Sequence, residues 1–469
     1  MTYGDTFPLF FVQATIERKK KHMNLVYGIH DRPKFGQLLV FAFQQVLAIL
    51  AATIAVPAIV GNGMSAAAAL FGAGVGTIIY QLFTKFRSPV FLGSSFAFIK
   101  SMSAAFGGAV SASAGFAGLI IGAVLAGLVY VVIAVAVKFA GINWVRKLMP
   151  PVVIGPTVAL IGLSLAGAAI KDVFSYGPVD GNGAFVMSTN LWVSLACGLV
   201  TLAAVMLFSC YGKKMIKLIP FILGILTGYV VAAIFTVIGI ATGNDALKVI
   251  DFTLFQNMQI FAVPEFTFLE ALKGVKEVDA SFLVTVAVAY VPVAFVVFAE
   301  HIADHKNLST IIDQELMEDP GLHRTLLGDG VGSMVGAFFG GCPNTTYGES
   351  VGCVAITRNA SVITITTAAI MCVVISFFGP FVAFLDSIPG CVMGGVCITL
   401  YGFIACSGLK MIQKVDLNKN KNLFVAATIL IPGIGGMAMN IGGKVTLTTT
   451  ACALILGILA NLMLQKSND

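Results

Sequence analysis

Charged residues are scarce in this sequence. Asp, Glu, Lys and Arg together make up 11% of its 469 residues, while 58% are apolar. A typical soluble domain is about 25% charged, so a soluble globule of this size would lack the charges to cover its surface. The apolar content excludes a disordered chain, and the missing glycine period excludes collagen. The remaining class is a protein with many membrane-spanning segments.

Paired metal-ligand motifs are also missing. The nine cysteines contain no Cys-x-x-Cys pair, and most lie in apolar runs. We expect them to pack as small apolar residues and predict neither a disulfide nor a zinc site. The net charge of +6 does not indicate nucleic acid as a partner, because basic excess in a membrane protein is first a signal of topology.

Apolar runs between polar or Gly/Pro breaks predict fourteen spans. A hydrocarbon core of about 30 Å requires about 20 apolar residues per helix. In chain order the predicted spans are 36–60, 64–84, 90–106, 114–138, 150–170, 188–210, 216–241, 281–304, 325–341, 345–357, 361–386, 389–410, 420–440 and 445–465. The first run is too long for a signal peptide, so we expect residues 1–35 to remain as a cytosolic segment.

Basic residues predict the orientation of these spans. With the N-terminus inside, 22 of the 28 lysines and arginines fall in inside segments and 6 fall outside. Lys and Arg concentrate on the cytoplasmic side of membrane proteins. We therefore expect a multi-pass protein of the cytoplasmic (inner) membrane, with the lipid bilayer as its surroundings and both termini cytoplasmic.

The segment 242–280 is the one long polar interruption, and it divides the spans into seven and seven. Two halves with an odd number of spans have opposite orientations, as in the inverted repeats of secondary transporters. The predicted fold is thus an all-α polytopic membrane protein of about fourteen segments in two inverted seven-helix repeats, with 242–280 as an extracytoplasmic connection.

Matching breaks open the third segment of each half. Pro89-Val-Phe-Leu-Gly-Ser-Ser95 precedes one apolar run, and Pro343-Asn-Thr-Thr-Tyr-Gly-Glu-Ser350 precedes the other. Pro and Gly disfavour continuous helix, so each stretch is predicted to be β-like and to lead into a half-helix that starts near Ser94 or Glu349. Free N–H groups at such starts bind polar ligands. The alternative is two ordinary re-entrant or glycine-packed helices.

Acidic residues within the spans are expected in only two places. Glu300 and Asp304 are four residues apart on one helix face, and Glu349 lies at the start of the second half-helix. An ionised carboxylate in the bilayer costs several kcal/mol unless it is hydrated, paired or protonated, so all three are candidates for proton coupling. Alternatively, Glu300 and Asp304 lie at the cytosolic helix end and cap it or pair with His301, His305 or Lys306.

The two histidines of this span raise the possibility of a metal site. His301 and His305 are four residues apart, but the sequence has no His-Glu-x-x-His order and no further ligand cluster. We expect solvated or hydrogen-bonded histidines at a helix end, and no metal or other cofactor.

These motifs resemble the nucleobase–ascorbate transporter family, also called nucleobase–cation symporters, and within it the bacterial uracil permeases. The resemblance covers roughly 30–465. Its motifs are Gly93-Ser-Ser-Phe-Ala-Phe-Ile99, Ala299-Glu-His-Ile-Ala-Asp-His305, Asp319-Pro-Gly-Leu-His-Arg324, the run from Pro343 to Arg358, Pro389-Gly-Cys-Val-Met-Gly-Gly395 and Leu400-Tyr-Gly402. This chain departs from the family at Ser350, where Asn is usual, and at Gln45, where His is common.

The resemblance implies a domain organisation and a site. A core domain would comprise 36–140 and 281–386, and a gate domain 141–241 and 387–465, with homodimers formed through gate helices. Side chains of Glu300 and Glu349 would contact the base, together with the backbones of Phe96 and Gly348. Phe96 would also form an apolar wall, and Tyr347 and Tyr401 are further candidates.

The resemblance implies import of uracil by proton symport through alternating access, and no enzyme activity. Relatives for xanthine or urate commonly carry Gln at the position of Glu349, so a carrier of xanthine or another nucleobase is the nearest alternative. Na⁺ is the alternative coupling ion. An anion exchanger or channel of the same fold would be expected to have a basic or neutral centre, and a membrane-embedded enzyme would need a nucleophile–base or metal constellation.

Overall fold

The computed structural model describes residues 25–141, 143–213, 216–217, 219–256, 258–441 and 445–465. Most of the predicted cytosolic segment 1–35 lies outside these ranges. Within them, eight helices are long and apolar enough to cross a bilayer. The remaining predicted spans are shorter helices or units of a strand and a helix.

The first half follows the predicted seven segments. Its third segment is broken as predicted, into strand β1 (Leu92–Ser94), a 3₁₀ turn (Phe96–Phe98) and helix α3 (Ile99–Gly108). The other helices are α1 (Phe35–Val60), α2 (Ala66–Phe83), α4 (Ala112–Ala140), the short α5 (Asn143–Leu148), α6 (Pro151–Val173), α7 (Thr189–Tyr211) and α8 (Pro220–Thr242).

The connection between the halves contains structure that its polar composition did not predict. Two 3₁₀ turns (Asp245–Leu247 and Phe252–Phe255) precede helix α9 (Thr267–Gly274) and a third turn (Val275–Glu277). Helix α9 packs on α4 so closely that a Cβ added at Gly274 would lie 2.2 Å from the backbone of Ser113 and Ala114.

The second half repeats the order of the first. Strand β2 (Asn344–Thr346) and helix α12 (Gly348–Thr357) form its broken third segment, again as predicted. The other elements are α10 (Ala280–Ile312), α11 (Leu322–Gly340), α13 (Val362–Ile375), α14 (Gly379–Asp386), α15 (Gly390–Ile412), α16 (Asn420–Ile434), strands β3 (Met439–Ile441) and β4 (Val445–Leu447), and α17 (Thr449–Leu464).

Three boundaries in this half differ from the prediction. The predicted span 361–386 is two helices with a break at 376–378, and Pro380 lies in the first turn of the second helix. Helix α16 ends at Ile434 rather than 440, because the Pro432-Gly-Ile-Gly-Gly436 stretch, with Gly436 at φ +76°, cannot continue a helix. Helix α10 continues to Ile312, eight residues beyond the predicted end at 304.

Small side chains hold the two halves together. Helix α2 packs on α11, and a Cβ added at Gly72 would lie 2.6 Å from the carbonyl oxygen of Gly336. Helix α6 packs on α15 in the same way, and a Cβ at Gly408 would lie 2.2 Å from the nitrogen of Ala159. Because apolar side chains gain little by leaving lipid, close backbone approach is the main source of helix association in a membrane.

Candidate functional site

A cavity of about 420 Å³ lies where the broken segments of the two halves meet. Both half-helix starts and the middle of α10 border it. Six of the seven predicted site residues line this cavity: Phe96, Glu300, Asp304, Tyr347, Gly348 and Glu349. Residues remote in sequence thus come together at one place.

Strands β1 and β2 fix the relative position of the two half-helices. They pair antiparallel, with Leu92 opposite Thr346 and Ser94 opposite Asn344. The pairing continues at both ends. The amide of Ser95 donates to the carbonyl oxygen of Pro343 at 2.9 Å, and the amide of Tyr347 donates to the carbonyl oxygen of Phe91 at 3.2 Å. The first residues of both half-helices are therefore held across from each other.

Neighbouring helices secure this strand pair. The hydroxyl of Thr77 on α2 accepts from the amide of Leu92 at 2.9 Å, and the side-chain amide of Asn344 donates to the carbonyl oxygen of Gly72 at 2.9 Å. Both strands are fully buried. Since unpaired backbone groups are costly in an apolar medium, these bonds make the strand pair a fixed platform beneath the cavity.

The second half-helix begins at the cavity wall. Gly348 and Glu349 are its first two residues, and no side chain caps its first turn. The first N–H groups of a helix have no partner within the helix and form the positive end of its dipole. The first unit begins as a 3₁₀ turn at Phe96, again without a side-chain cap from Ser95. Hydrogen-bond donors therefore face the cavity from two directions.

Three carboxylates provide the acceptors. Glu300 and Asp304 lie on α10, and Glu349 projects from α12, with the charges of Asp304 and Glu349 close enough to interact with that of Glu300. The Thr346 hydroxyl donates to Asp304 Oδ2 at 2.7 Å. Asp304 is thus attached to strand β2 of the platform, and the alternative that it pairs with His301, His305 or Lys306 at the helix end is wrong.

Aromatic side chains form the apolar part of the cavity. Phe96 lines it, and the hydroxyl of Tyr347 donates to the carbonyl oxygen of Ser94 at 2.7 Å, which fixes the Tyr347 ring across the strand pair. Tyr401 is buried behind Phe96, with the ring centroids 5.8 Å apart in an edge-to-face arrangement, and does not line the cavity. It supports the wall rather than forming it.

Gln45 and Ser350, the two departures from the family pattern, contact each other. The side-chain amide of Gln45 on α1 donates to Ser350 Oγ at 2.8 Å, and both residues are buried. Position 45 is thus coupled to the first turn of α12, a contact that the sequence did not predict.

The histidines of α10 and one further acid lie behind the cavity. His301 and His305 are fully buried and hydrogen-bonded rather than solvated, and His301 Nδ1 lies 2.7 Å from Asp329 Oδ2 on α11. The expectation that acids within the spans occur only at Glu300, Asp304 and Glu349 is therefore wrong. The signal was a Gly-Asp-Gly sequence inside a predicted span.

One side of the cavity leads to solvent. Its mouth includes Ser209 on α7, the exposed Lys217 after it, and Met411 at the end of α15. No group of three or more His, Cys, Asp or Glu in the described ranges is arranged to hold a metal ion. With acidic acceptors, backbone donors and an aromatic wall, the cavity suits a small, neutral, planar molecule that carries both N–H and C=O groups.

Comparison with known sequences is consistent with this chemistry. Residues 36–442 match the Permease family (Xan_ur_permease). The uracil permease of Bacillus caldolyticus is 39% identical over 443 residues, with 94% of each chain covered. The uracil permease of Bacillus subtilis (strain 168) is 37% identical with 96% of this chain and 97% of the relative covered, and that of Escherichia coli (strain K12) is 33% identical with 92% of each covered.

Solved structures share the fold at much lower identity. The transmembrane domain of the cyanobacterial bicarbonate transporter BicA superposes with a TM-score of 0.60 at 16% identity, covering 94% of this chain and all of that one. The murine anion transporter Slc26a9, in an inward-facing state, superposes with a TM-score of 0.61 at 12% identity, covering 98% of this chain and 72% of that one. These likenesses concern the fold of two inverted seven-segment repeats.

Proposed function

The chain belongs to the Permease family of membrane transporters, and from this premise we propose that it imports uracil by proton symport. Relatives named as uracil permeases are 33–39% identical over more than 90% of the chain, which supports this substrate class. The observation that carries the proposal is the convergence on one cavity of Glu300 from α10 and Glu349 from α12, both in the second half, with the half-helix start at Phe96 in the first half.

Uracil matches the polarity of the cavity. Its two ring N–H groups are donors for the carboxylates of Glu300 and Glu349, and its two carbonyls are acceptors for the N–H groups at the half-helix starts near Phe96 and Gly348. Hydrogen bonds to charged groups contribute about 1.5–3 kcal/mol each. The ring of Phe96 offers an apolar surface to the base, Tyr401 packs behind that surface, and Tyr347 lines the same cavity.

Proton coupling follows from the crowding of acids. Glu300, Asp304 and Glu349 are close enough for their charges to interact. Three ionised carboxylates in a region of low dielectric repel one another and lose hydration. Loading a proton together with a neutral base relieves this repulsion, whereas loading Na⁺ would call for several oxygen ligands around one point.

The helix packing supports a division into a moving core and a gate. Helices of 36–140 pack with those of 281–386, as α2 does with α11, and helices of 141–241 pack with those of 387–465, as α6 does with α15. We propose that the cavity lies between these two domains. A second copy would contact the gate helices, whose lipid-facing surface is apolar, to form a homodimer.

The distribution of basic residues supports an inward-open state. The mouth at Lys217 lies on the side that the 22-to-6 distribution of lysines and arginines assigns to the cytoplasm. Both termini would be cytoplasmic, in the cytoplasmic membrane. Release of the proton from this state would weaken uracil binding, because the ionised acids repel one another again. Uracil and the proton shift the equilibrium between the outward-open and inward-open states only by the difference in their affinities for these two states.

Radiolabelled uracil uptake into proteoliposomes tests the proposal. Uptake should rise with an inwardly directed pH gradient, remain unaffected by a Na⁺ gradient, and fall when unlabelled uracil competes. Stronger competition by xanthine than by uracil would overturn the substrate, and stimulation by Na⁺ alone would overturn the coupling ion.

Anion transport is the second candidate, because the solved structures that share this fold include a bicarbonate transporter and an anion transporter. The acids of this cavity disfavour it, since they repel anions. Anion currents or bicarbonate uptake in the same proteoliposomes, without uracil uptake, would establish it instead.

A further inference from the structure

A buried histidine–aspartate pair lies outside the cavity and has no part in substrate binding. His301 Nδ1 on α10 and Asp329 Oδ2 on α11 are 2.7 Å apart, and the two side chains are 0% and 1% exposed. In the part of the chain that the structure describes, no lysine or arginine lies within 4.0 Å of Asp329. The histidine is therefore the nearest group able to neutralise this acid.

Thr325 completes the pair and makes its hydrogen bonds adjustable. Its Oγ1 lies 2.9 Å from His301 Nε2 and 3.0 Å from the carbonyl oxygen of Leu322. A hydroxyl has one proton and can also accept. It can donate to Leu322 while accepting from Nε2–H, or it can rotate and donate to an unprotonated Nε2.

Charge favours a pair that holds one additional proton. With that proton absent, Asp329 is a carboxylate in the bilayer whose other oxygen, Oδ1, has no hydrogen-bond partner among the described residues. Such burial is strongly unfavourable. With the proton present, the pair is a carboxylic acid beside a neutral imidazole, or a carboxylate beside an imidazolium, and in both cases His301 Nε2–H donates to Thr325.

Both protonation states keep the same atomic positions. In the loaded state the Thr325 hydroxyl donates to Leu322. In the unloaded state it donates to Nε2, and Nδ1–H donates to the Asp329 carboxylate. Only the hydroxyl rotates, so gain and loss of the proton require no repacking of α10 against α11. A group fixed in this way is suited to reversible proton binding.

The surroundings of the pair connect it to the cavity. Glu300 precedes His301 in α10, and its charge and that of Asp329 are close enough to interact. From α4, the ring of Tyr130 meets the His301 ring edge-on at 6.3 Å, and the Tyr130 hydroxyl has no hydrogen-bond partner among the described residues. Asp304 of α10 also lies within electrostatic range of Asp329, and Glu349 of α12 within range of Glu300.

The remaining neighbour is His305, whose hydrogen bonds are already committed. Its ring stacks on that of His301 at 4.0 Å, its Nδ1 donates to the carbonyl oxygen of His301, and its Nε2 lies 2.8 Å from the hydroxyl of Tyr80 on α2. A backbone carbonyl can only accept, so Nδ1 bears hydrogen and a neutral ring accepts from Tyr80 at Nε2. His305 therefore packs against the pair with both ring nitrogens already hydrogen-bonded to other groups.

We infer that His301, Thr325 and Asp329 form a second proton-binding site, outside the substrate cavity. A proton from the carboxyl group of Glu300 moves to the pair, leaving Glu300 ionised to accept a ring N–H of the base. The proton returns through Glu300 on release. This inference rests on the proposed proton symport, and the proton on the pair, which enters and leaves through Glu300, is carried in addition to any proton on Asp304 or Glu349.

Asp329→Asn is the first test, because Asn imitates the proton-loaded acid without being able to release a proton. The proton-to-uracil ratio, measured from the reversal of uracil flux against imposed pH gradients in proteoliposomes, should fall by one. Uracil exchange without a gradient should stay within about threefold of the wild type. An unchanged ratio would overturn the inference.

Thr325 offers a matched pair of variants in case Asp329→Asn fails to fold. Thr325→Val keeps the shape but removes the hydroxyl, and gradient-driven uptake should fall about fivefold, the size of one hydrogen bond. Thr325→Ser keeps the hydroxyl and should restore uptake. Equal uptake by the Val and Ser variants would contradict the role of the hydroxyl.

Infrared spectroscopy separates this inference from the proposed function. The purified wild-type protein should show the carbonyl stretch of a buried protonated carboxyl group or the imidazolium bands of His301, and Asp329→Asn should lose them. If wild-type uptake ignores the pH gradient, proton symport fails although these bands remain. If the spectra of wild type and variant are identical, the pair holds no proton and the inference fails although symport stands.

Discussion

The broken segments of the two halves share a backbone plan but differ in chemistry. Residues 92–108 and 344–357 each comprise a three-residue strand followed by a half-helix, and the strands pair with each other. Counted from these strands, Phe96 corresponds to Gly348, and Ala97 corresponds to Glu349. One unit therefore presents an apolar start and the other presents a bare backbone and an acid.

This difference separates what the repeat provides from what the substrate requires. The symmetric part, the strand pair and the two free helix starts, offers donors from both sides. The next matched positions diverge as well, since Phe98 stacks on Tyr290 with ring centroids 5.5 Å apart, while Ser350 accepts from Gln45. We conclude that the first unit serves as wall and the second as ligand.

Replacing the acid of the second unit should have the largest effect. Glu349→Gln removes a charged acceptor, and hydrogen bonds to charged groups contribute about 1.5–3 kcal/mol, so uracil affinity should fall about 10- to 100-fold. Binding of radiolabelled uracil to purified protein measures this, and xanthine should compete better than before. Glu318→Gln, at an exposed position, is the control. Wild-type affinity in Glu349→Gln would remove this residue from the site.

Changing the wall of the first unit should have a smaller effect. Phe96→Leu keeps an apolar side chain but removes the aromatic face, and a base stacked on an aromatic ring gains about 1–3 kcal/mol. Uracil affinity should fall about tenfold in the same binding assay. Phe106→Leu, in the same half-helix but packed edge-on against Phe116, should leave affinity unchanged. If both variants bind alike, Phe96 does not contact the base.

Asp304 is attached to the second unit alone, through Thr346, and its removal should uncouple rather than prevent binding. Asp304→Asn should lower pH-gradient-driven accumulation about tenfold, equivalent to about 1.4 kcal/mol, while uracil exchange changes less. Accumulation and exchange in proteoliposomes measure the two effects, with Asp245→Asn in the connection as control. If the pH gradient drives uptake by Asp304→Asn as well as by the wild type, Asp304 has no role in coupling and only bonds Thr346.

The smallest effect on transport, but a clear one on stability, is expected at the strand pair. A Cβ added at Gly93 would lie 2.4 Å from the Tyr347 ring, and overpacking typically costs about 1–3 kcal/mol. Gly93→Ala should lower the unfolding temperature in detergent. Gly107→Ala, where a Cβ would meet nothing within 4 Å, should raise it slightly, since Ala is favoured over Gly in helices by about 0.5–1 kcal/mol. Equal shifts would mean that the strands are not tightly packed.

Hydrophobic runs and breaks predicted the order of the segments and both strand–helix units, because in lipid every backbone group must be paired and a Pro/Gly break is conspicuous. The ends of the helices were harder to predict. Helix α10 continues past its last apolar stretch because His305 and Ser309 are buried against other helices. Tertiary contacts of this kind cannot be predicted from the hydropathy of the sequence.

The positions of individual side chains, whether in the spans, at the cavity or behind it, were also hard to predict from the sequence. Asp329 was placed among the acids of loops and helix ends, since a short glycine-rich span gives no register from which to locate its midpoint. Its partner His301 lies 28 residues away. Tyr401 was placed in the site with Phe96 but lies one layer behind it. The motifs identified the elements that form the site. Which side chain reaches the cavity and which lies behind it depends on three-dimensional packing, and motifs and hydropathy do not reveal that packing.

The pairing of β1 with β2 also has a consequence for biosynthesis. Residues 92–94 leave the ribosome about 250 residues before residues 344–346. Leu92 can bond Thr77 of α2 in the first half, but until the second half arrives there is no partner strand for the other amides and carbonyls of β1. Lipid offers them no water in the meantime. The nascent first half must therefore remain sheltered by the insertion machinery, or partly outside the bilayer, until the second half arrives. A chain truncated after residue 280 should then be recognised and degraded rather than accumulate as a stable half-transporter.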